Sequence, residues 1–184
     1  MVAWMHFLTD FADQAVVLPA LVAVAVLFAV LTWWRGFFGW IIAAGGTLGI
    51  MLLLKVLGLF VFKDFEARPF SASGHTACAG LLYGGVGVML SYYKLPSSMR
   101  GLIPLLFVVV IGASRLAVHA HSMPEVLVGG AVGYVGAALF SNLSGPPPQI
   151  AAALAAMVSV GAMFAFHGYH LPVEQVIRHT VLGN

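Results

Sequence analysis

The feature that most limits what this chain can fold into is a series of long apolar runs. From Ala15 to Trp34 it carries no charged residue, and comparable runs recur at about 37–58, 73–93, 101–118, 124–140 and 150–167. A helix needs about 20 mostly apolar residues to cross the hydrocarbon of a bilayer. With 61% of its 184 residues apolar and 8% charged, the chain is expected to be an all-α polytopic membrane protein. Six transmembrane helices would form one domain over residues 1–184.

The flanking segments are of another kind. Residues 1–14 mix Trp4, Phe7 and Phe11 with Asp10 and Asp13, which predicts a short helix in the membrane interface. The tail 168–184 sets Leu171, Val173, Val176, Ile177 and Val181 beside Glu174, Arg178 and His179, and is expected to lie there too. No cleavable signal peptide is expected, since no Lys or Arg precedes the first apolar run. Trp33 and Trp34, followed by Arg35, mark an interfacial belt. Gly80 with Gly84, and Gly129 with Gly133, give two spans the small-residue spacing that lets helices approach closely. The single cysteine, Cys78, cannot form an internal disulfide and is expected to be a buried structural thiol. A scattered net charge of +2 is no nucleic-acid footprint.

Six spans put both termini on one side, with the loops after the second and fourth spans. The opposite loops carry Arg35, Lys94 and Arg100 and no acid, whereas the termini side carries Asp10, Asp13, Asp64, Glu66, Glu125 and Glu174. Basic residues favour the cytoplasmic side, so the termini and their two loops are expected to face outward.

Those two loops hold most of the unusual polar residues. One carries Lys63, Arg68 and Ser73-Gly74-His75; the other carries Arg115, His119, His121 and Glu125. Ionisable groups near the hydrocarbon are costly and by default indicate function. Guanidinium and ammonium groups describe an anion site, with guanidinium forks matching phosphate oxygens. The start of the third span adds unpaired N–H groups and the positive end of a helix dipole, and Gly74 lets that backbone come close. Two histidines near such an anion can divide phosphoryl transfer between them, one attacking phosphorus and the other protonating the leaving alkoxide. A nucleophilic histidine needs its second ring nitrogen held by a carboxylate. Glu125 follows His121 by four residues and His119 by six, which favours His121 as nucleophile and leaves His119 a structural or neighbouring role. Ser122 and Glu125 also read as a helix capping box, which can coexist with that chemistry. Lys55 is expected either to snorkel to the interface or to act in the site. His167 and His170 are expected at the interface.

Ser114-Arg115, five residues, His121, three residues, Glu125 resembles the third signature of the type 2 phosphatidic acid phosphatase (PAP2) superfamily, SR-x5-H-x3-D. Ser73-Gly74-His75 resembles the second, PSGH, and Arg68-Pro69 the end of the first, K-x6-RP. The resemblance implies a PAP2-like helical bundle and a metal-independent phosphatase needing no cofactor. It makes His121 the nucleophile, His75 the general acid and Glu125 the residue that orients His121, with Arg68, Ser73, Gly74 and Arg115 holding phosphate. Ala72 stands for the usual proline, Glu125 for the usual aspartate, and Val61 where the motif has lysine. Lys55 or Lys63 can fill that last place; Lys55 resembles the lysine that ends the second span in short bacterial members.

The implied function is hydrolysis of a polyprenyl or glycerolipid phosphate or diphosphate through a phosphohistidine. The membrane would be the bacterial inner membrane, with the site facing the periplasm or exterior and membrane lipids as the surroundings. Two alternatives share the fold: transfer of the phosphoryl group to another acceptor, and non-catalytic binding of a lipid phosphate.

Overall fold

The computed structural model describes residues 2–62, 70–171, 176–177 and 179–180. Lys63, Arg68 and most of the expected interfacial tail lie outside the described residues.

The described residues are helical. The helices are α1 (Val2–Asp10), α2 (Gln14–Val30), α3 (Trp34–Phe62), α4 (Gly74–Ser91), α5 (Ser97–Arg100), α6 (Leu102–Ala117), α7 (Met123–Ser144) and α8 (Gln149–Phe166). Among the described residues, five segments are long and apolar enough to cross a membrane: Phe7–Val30, Trp34–Val61, Ser97–Ala117, Met123–Ser144 and Gln149–Phe166. The protein is therefore an all-α, polytopic membrane bundle.

The sixth long helix, α4, stands at the centre, packed against α2, α3, α6, α7 and α8. Most of its residues are buried. Protein surrounds it, so its surface needs small residues that admit neighbours more than it needs lipid-soluble ones. A Cβ on Gly80 would lie 3.2 Å from Gly133 Cα, and one on Gly84 would lie 2.6 Å from Pro104 Cβ. Gly129 and Gly133 of α7 meet the carbonyls of Ser73 and Ala77 in the same way. Both expected glycine pairs thus sit in one seam between α4 and its neighbours.

Away from the site, the core is aromatic. Phe28, Trp33, Trp40 and Phe140 pack together, with Trp40 and Phe140 rings 4.9 Å apart and nearly perpendicular. The Trp40 indole N–H donates to the Leu21 carbonyl at 3.0 Å, which satisfies the polar atom of a buried ring and pins α3 to α2. Cys78 is buried in this core.

Two boundaries differ from the sequence reading. The α3 helix continues past Gly58 to Phe62. A Cβ on Gly58 would strike the Phe70 carbonyl, so this glycine admits the returning chain and does not stop the helix. The polar turn before the fourth span contains the short helix α5.

The ends of the helices divide into two groups. At one end, Arg35 lies over Gly145, Tyr93 donates to the Pro147 carbonyl at 3.2 Å, and Arg100 stacks on Tyr92 at 4.0 Å. Gly145, with φ 68° and ψ −159°, occupies backbone space open essentially to glycine alone, and the prolines after it end α7. At the other end, the start of α4, the turn from α6 to α7, the corner between α1 and α2, and the segment after α8 come together. The Tyr83 hydroxyl donates to the Phe11 carbonyl there, and His167 packs on the rings of Phe7 and Phe11 at 4.7 and 4.9 Å.

Candidate active site

The second end of the bundle gathers the polar residues. The first strand of the construction is the α6–α7 turn. Helix α6 closes with His119 N–H bonded to the Leu116 carbonyl and Ala120 N–H to the Arg115 carbonyl, at 3.0 and 3.1 Å. This is a Schellman closure, in which the residue after the cap takes a left-handed conformation. That residue is His119, at φ 54°, and it is exposed. Its place is thus set by chain reversal, while Arg115 remains in the last turn of α6.

Helix α7 begins with the capping box expected from Ser122 and Glu125. Glu125 Oε2 accepts from the N–H and hydroxyl of Ser122 at 2.8 and 3.0 Å. Its Oε1 accepts from Ser71 N–H at 2.7 Å, and its backbone carbonyl accepts from Ser73 N–H at 2.9 Å. One buried residue therefore fastens the segment before α4 to the start of α7. The extra methylene of glutamate over aspartate gives the carboxylate this span.

The same Oε2 lies 3.5 Å from His121 Nδ1. This is longer than a hydrogen bond, and catalytic contacts commonly tighten once substrate charge is present. The arrangement turns Nδ1 toward the carboxylate and Nε2 away from it. Burial, and then the Arg115 guanidinium, pull the His121 pKa down to about 4 against the opposing effect of Glu125, with Lys55 and His75 adding to the fall. His75, Arg115 and Lys55 thus all lie close enough to His121 to act on its charge.

At the start of α4, Ser73 is fully buried. Its hydroxyl caps the helix by accepting from Thr76 N–H and is hydrogen-bonded to the Thr76 hydroxyl at 2.9 Å. This fixes the first-turn N–H groups in place, and His75 follows one residue into the turn. A side chain on Gly74 would meet Gln14 Nε2 at 3.3 Å and Lys55 Cε at 4.0 Å, so the glycine leaves room between them. Lys55 Nζ donates to the Ser71 hydroxyl at 2.9 Å. Of the two lysines open to the motif's missing position, Lys55 stands beside Ser71 and Gly74, and Lys63 falls outside the described residues, as does Arg68.

Several neighbours were not anticipated. Asp13, expected in an interfacial helix, is the N-cap of α2 and lies 3.4 Å from His75 Nε2. Thr9 of α1 accepts from Arg115 Nη1 at 3.0 Å. His170 Nδ1 lies 3.2 Å from Asp13 Oδ2. An acid placed directly before an apolar run was the available signal for Asp13, but nothing local points to His75. Among the described residues, no three His, Cys, Asp or Glu side chains converge as metal ligands.

With this geometry in place, the family model of the PAP2 superfamily matches residues 54–146, half of the chain. The chain belongs to the PAP2 superfamily. Membership points to phosphatase chemistry on phosphate esters. The match spans Lys55, His75, Arg115, His121 and Glu125, and stops short of Thr9, Asp13 and His170 on the flanking elements. No curated protein and no solved structure matches the chain.

Proposed function

We propose that this PAP2 protein is a membrane lipid-phosphate phosphatase that works through a phosphohistidine on His121. The observation that carries the reading is the Glu125 carboxylate 3.5 Å from His121 Nδ1, in a site that also holds His75 and the cations of Arg115 and Lys55. His121 Nε2 attacks phosphorus while His75 gives a proton to the leaving alkoxide. A water then loses a proton to His75 and attacks the phosphohistidine, which releases phosphate and restores both rings. Glu125 orients His121 and offsets the charge that develops on its ring. Arg115, Lys55 and the N–H groups at Gly74 and His75 neutralise the phosphoryl oxygens. Ser73 contributes by holding that helix start, and Arg68 and Lys63 are assigned to the same phosphate by motif position alone.

A lipid substrate is supported by an apolar cleft of about 590 Å³ between α6 and α7, lined by Leu105, Val109, Leu116, Met123, Leu127 and Gly130 among others. Leu116 and Met123 follow Arg115 and Ser122 in the chain, so the cleft runs up to the end of the bundle that carries the polar residues. An outward-facing site in a bacterial inner membrane is supported by the gathering of Arg35, Lys94 and Arg100 at the opposite end.

The test is phosphate release by the purified, detergent-solubilised protein from a panel of polyprenyl and glycerolipid phosphates and diphosphates, with chelator present. Chelator-resistant release that the His121→Ala variant lacks is expected, because protein cations supply the charge neutralisation. Release that survives this substitution, or none from any lipid, overturns the reading.

A further inference from the structure

The corner between α1 and α2 holds a buried carboxylate that the phosphatase mechanism does not yet use. Asp13 Oδ1 accepts from Ala15 N–H at 2.8 Å and caps α2. Its Oδ2 faces two imidazoles, His75 Nε2 at 3.4 Å and His170 Nδ1 at 3.2 Å. The Asp13 side chain is 8% exposed and that of His170 is 62% exposed, so His170 covers the solvent side while His75 lies on the protein side.

The corner is fastened from both directions. Tyr83 of α4 donates to the Phe11 carbonyl, and Arg115 of α6 donates to Thr9. Within the corner, Ala12 N–H bonds to the Thr9 carbonyl and Asp13 N–H to the Asp10 carbonyl, at 3.0 and 3.1 Å. These bonds tie Asp13 to the same two helices that carry His75 and Arg115. Helix α1 is a wall of the site, beyond any part it has at the membrane surface.

We infer that Asp13 is the positioning residue of His75: its carboxylate keeps the proton on Nε2, so that Nδ1 is the nitrogen that serves substrate. An ionised carboxylate can only accept, so the imidazole nitrogen facing it carries hydrogen. When His75 is imidazolium, its Nδ1 proton goes to the leaving alkoxide. The neutral ring that remains is the Nε2–H form, and its Nδ1 lone pair takes the next proton from the hydrolytic water. Asp13 stays ionised throughout and holds one tautomer across both steps, as an orienting carboxylate does for a catalytic histidine. The catalytic consequence rests on the phosphatase reading; the tautomer does not. Asp13 lies outside residues 54–146, so the feature belongs to this chain's own N-terminal corner.

The Asp13→Asn substitution separates this role from a structural one. Asparagine is as good an N-cap as aspartate, so its carbonyl oxygen keeps the Ala15 bond and its NH2 group turns to His75. His75 must then accept at Nε2 and carry its proton on Nδ1. The experiment is 15N NMR of the full chain in detergent, labelled at histidine, with the His75 ring signals assigned by their loss in His75→Gln. The wild type is expected to show the Nε2–H tautomer and Asp13→Asn the Nδ1–H tautomer. His170→Gln should leave the His75 tautomer unchanged. In phosphate release, Asp13→Asn should lower kcat by about 100- to 10,000-fold, the usual worth of general acid–base catalysis, with KM within about threefold. An Nδ1–H wild type, or an Nε2–H form that persists in Asp13→Asn, overturns the inference whether or not any lipid is hydrolysed. An altered tautomer with unchanged kcat overturns its catalytic part. Absence of hydrolysis in the wild type would overturn the phosphatase reading and leave the tautomer result standing.

Discussion

Glu125 reaches His121 with the same carboxylate oxygen that holds the N–H of Ser122, while its other oxygen holds the N–H of Ser71. The residue to which the proposed mechanism gives the orientation of His121 is thus also the clasp between α7 and the chain entering α4. Glu125→Ala should therefore lose both functions. Unpaired buried donors cost about 1–3 kcal/mol each, so thermal unfolding in detergent should shift to lower temperature as phosphate release disappears. Glu125→Asp keeps the charge but shortens its reach, and should fall between the two. A Glu125→Ala protein as stable as wild type would contradict the clasp.

The pH dependence follows from His121. Its pKa lies at about 4 against an ordinary 6.5, so without substrate the ring is neutral well below pH 6, as the proposed nucleophile must be. Protonation removes the nucleophile, so kcat/KM should fall as pH drops through about 4 and should show no His121 limb near 6.5. Phosphate release measured at substrate concentrations well below KM reads this directly, because kcat/KM reports ionisations of the free enzyme. An acid limb centred near 6.5 would count against the low value.

Lys55 offers a test of the phosphate cradle. Lys55→Met keeps an unbranched chain in a buried place and removes the ammonium that donates to Ser71. The fold should survive, since the substitution also removes a buried charge. Charge-assisted hydrogen bonds are worth about 1.5–3 kcal/mol, so kcat/KM should fall roughly 10- to 100-fold. Unchanged kinetics would mean that another cation holds the phosphate.

His119 should behave in the opposite way. It occupies the left-handed position that glycine usually fills in this helix closure. His119→Gly should leave phosphate release unchanged and raise stability by up to about 1 kcal/mol, the relief of a left-handed non-glycine residue. A large loss of turnover would give His119 a chemical role.

Much of this was legible in the chain. The apolar runs located the long helices because hydrocarbon imposes length and composition directly. Gly80, Gly84, Gly129 and Gly133 announced their seam by spacing, and Ser122 and Glu125 their cap. What stayed hidden depends on contacts between distant segments. The charge on Asp13 and the rings of Phe7 and Phe11 suggest an interfacial helix, and no local feature says that Tyr83 and Arg115 fasten that corner to the bundle. The central place of α4 follows from its five neighbouring helices, and no property of its own sequence states it. The need for glycine at position 58 was hidden too, because the Phe70 carbonyl that requires it is 12 residues away in the chain.

The most direct measurement of the central claim is capture of the phosphoryl group on the enzyme. The purified protein would be mixed with a lipid phosphate labelled in its phosphoryl group, quenched in alkali, where phosphohistidine survives, and mapped by mass spectrometry. Transient label on His121 in the wild type, absent from His121→Ala together with phosphate release, is the predicted result. Turnover with label on another residue, or continued turnover without His121, would contradict the account.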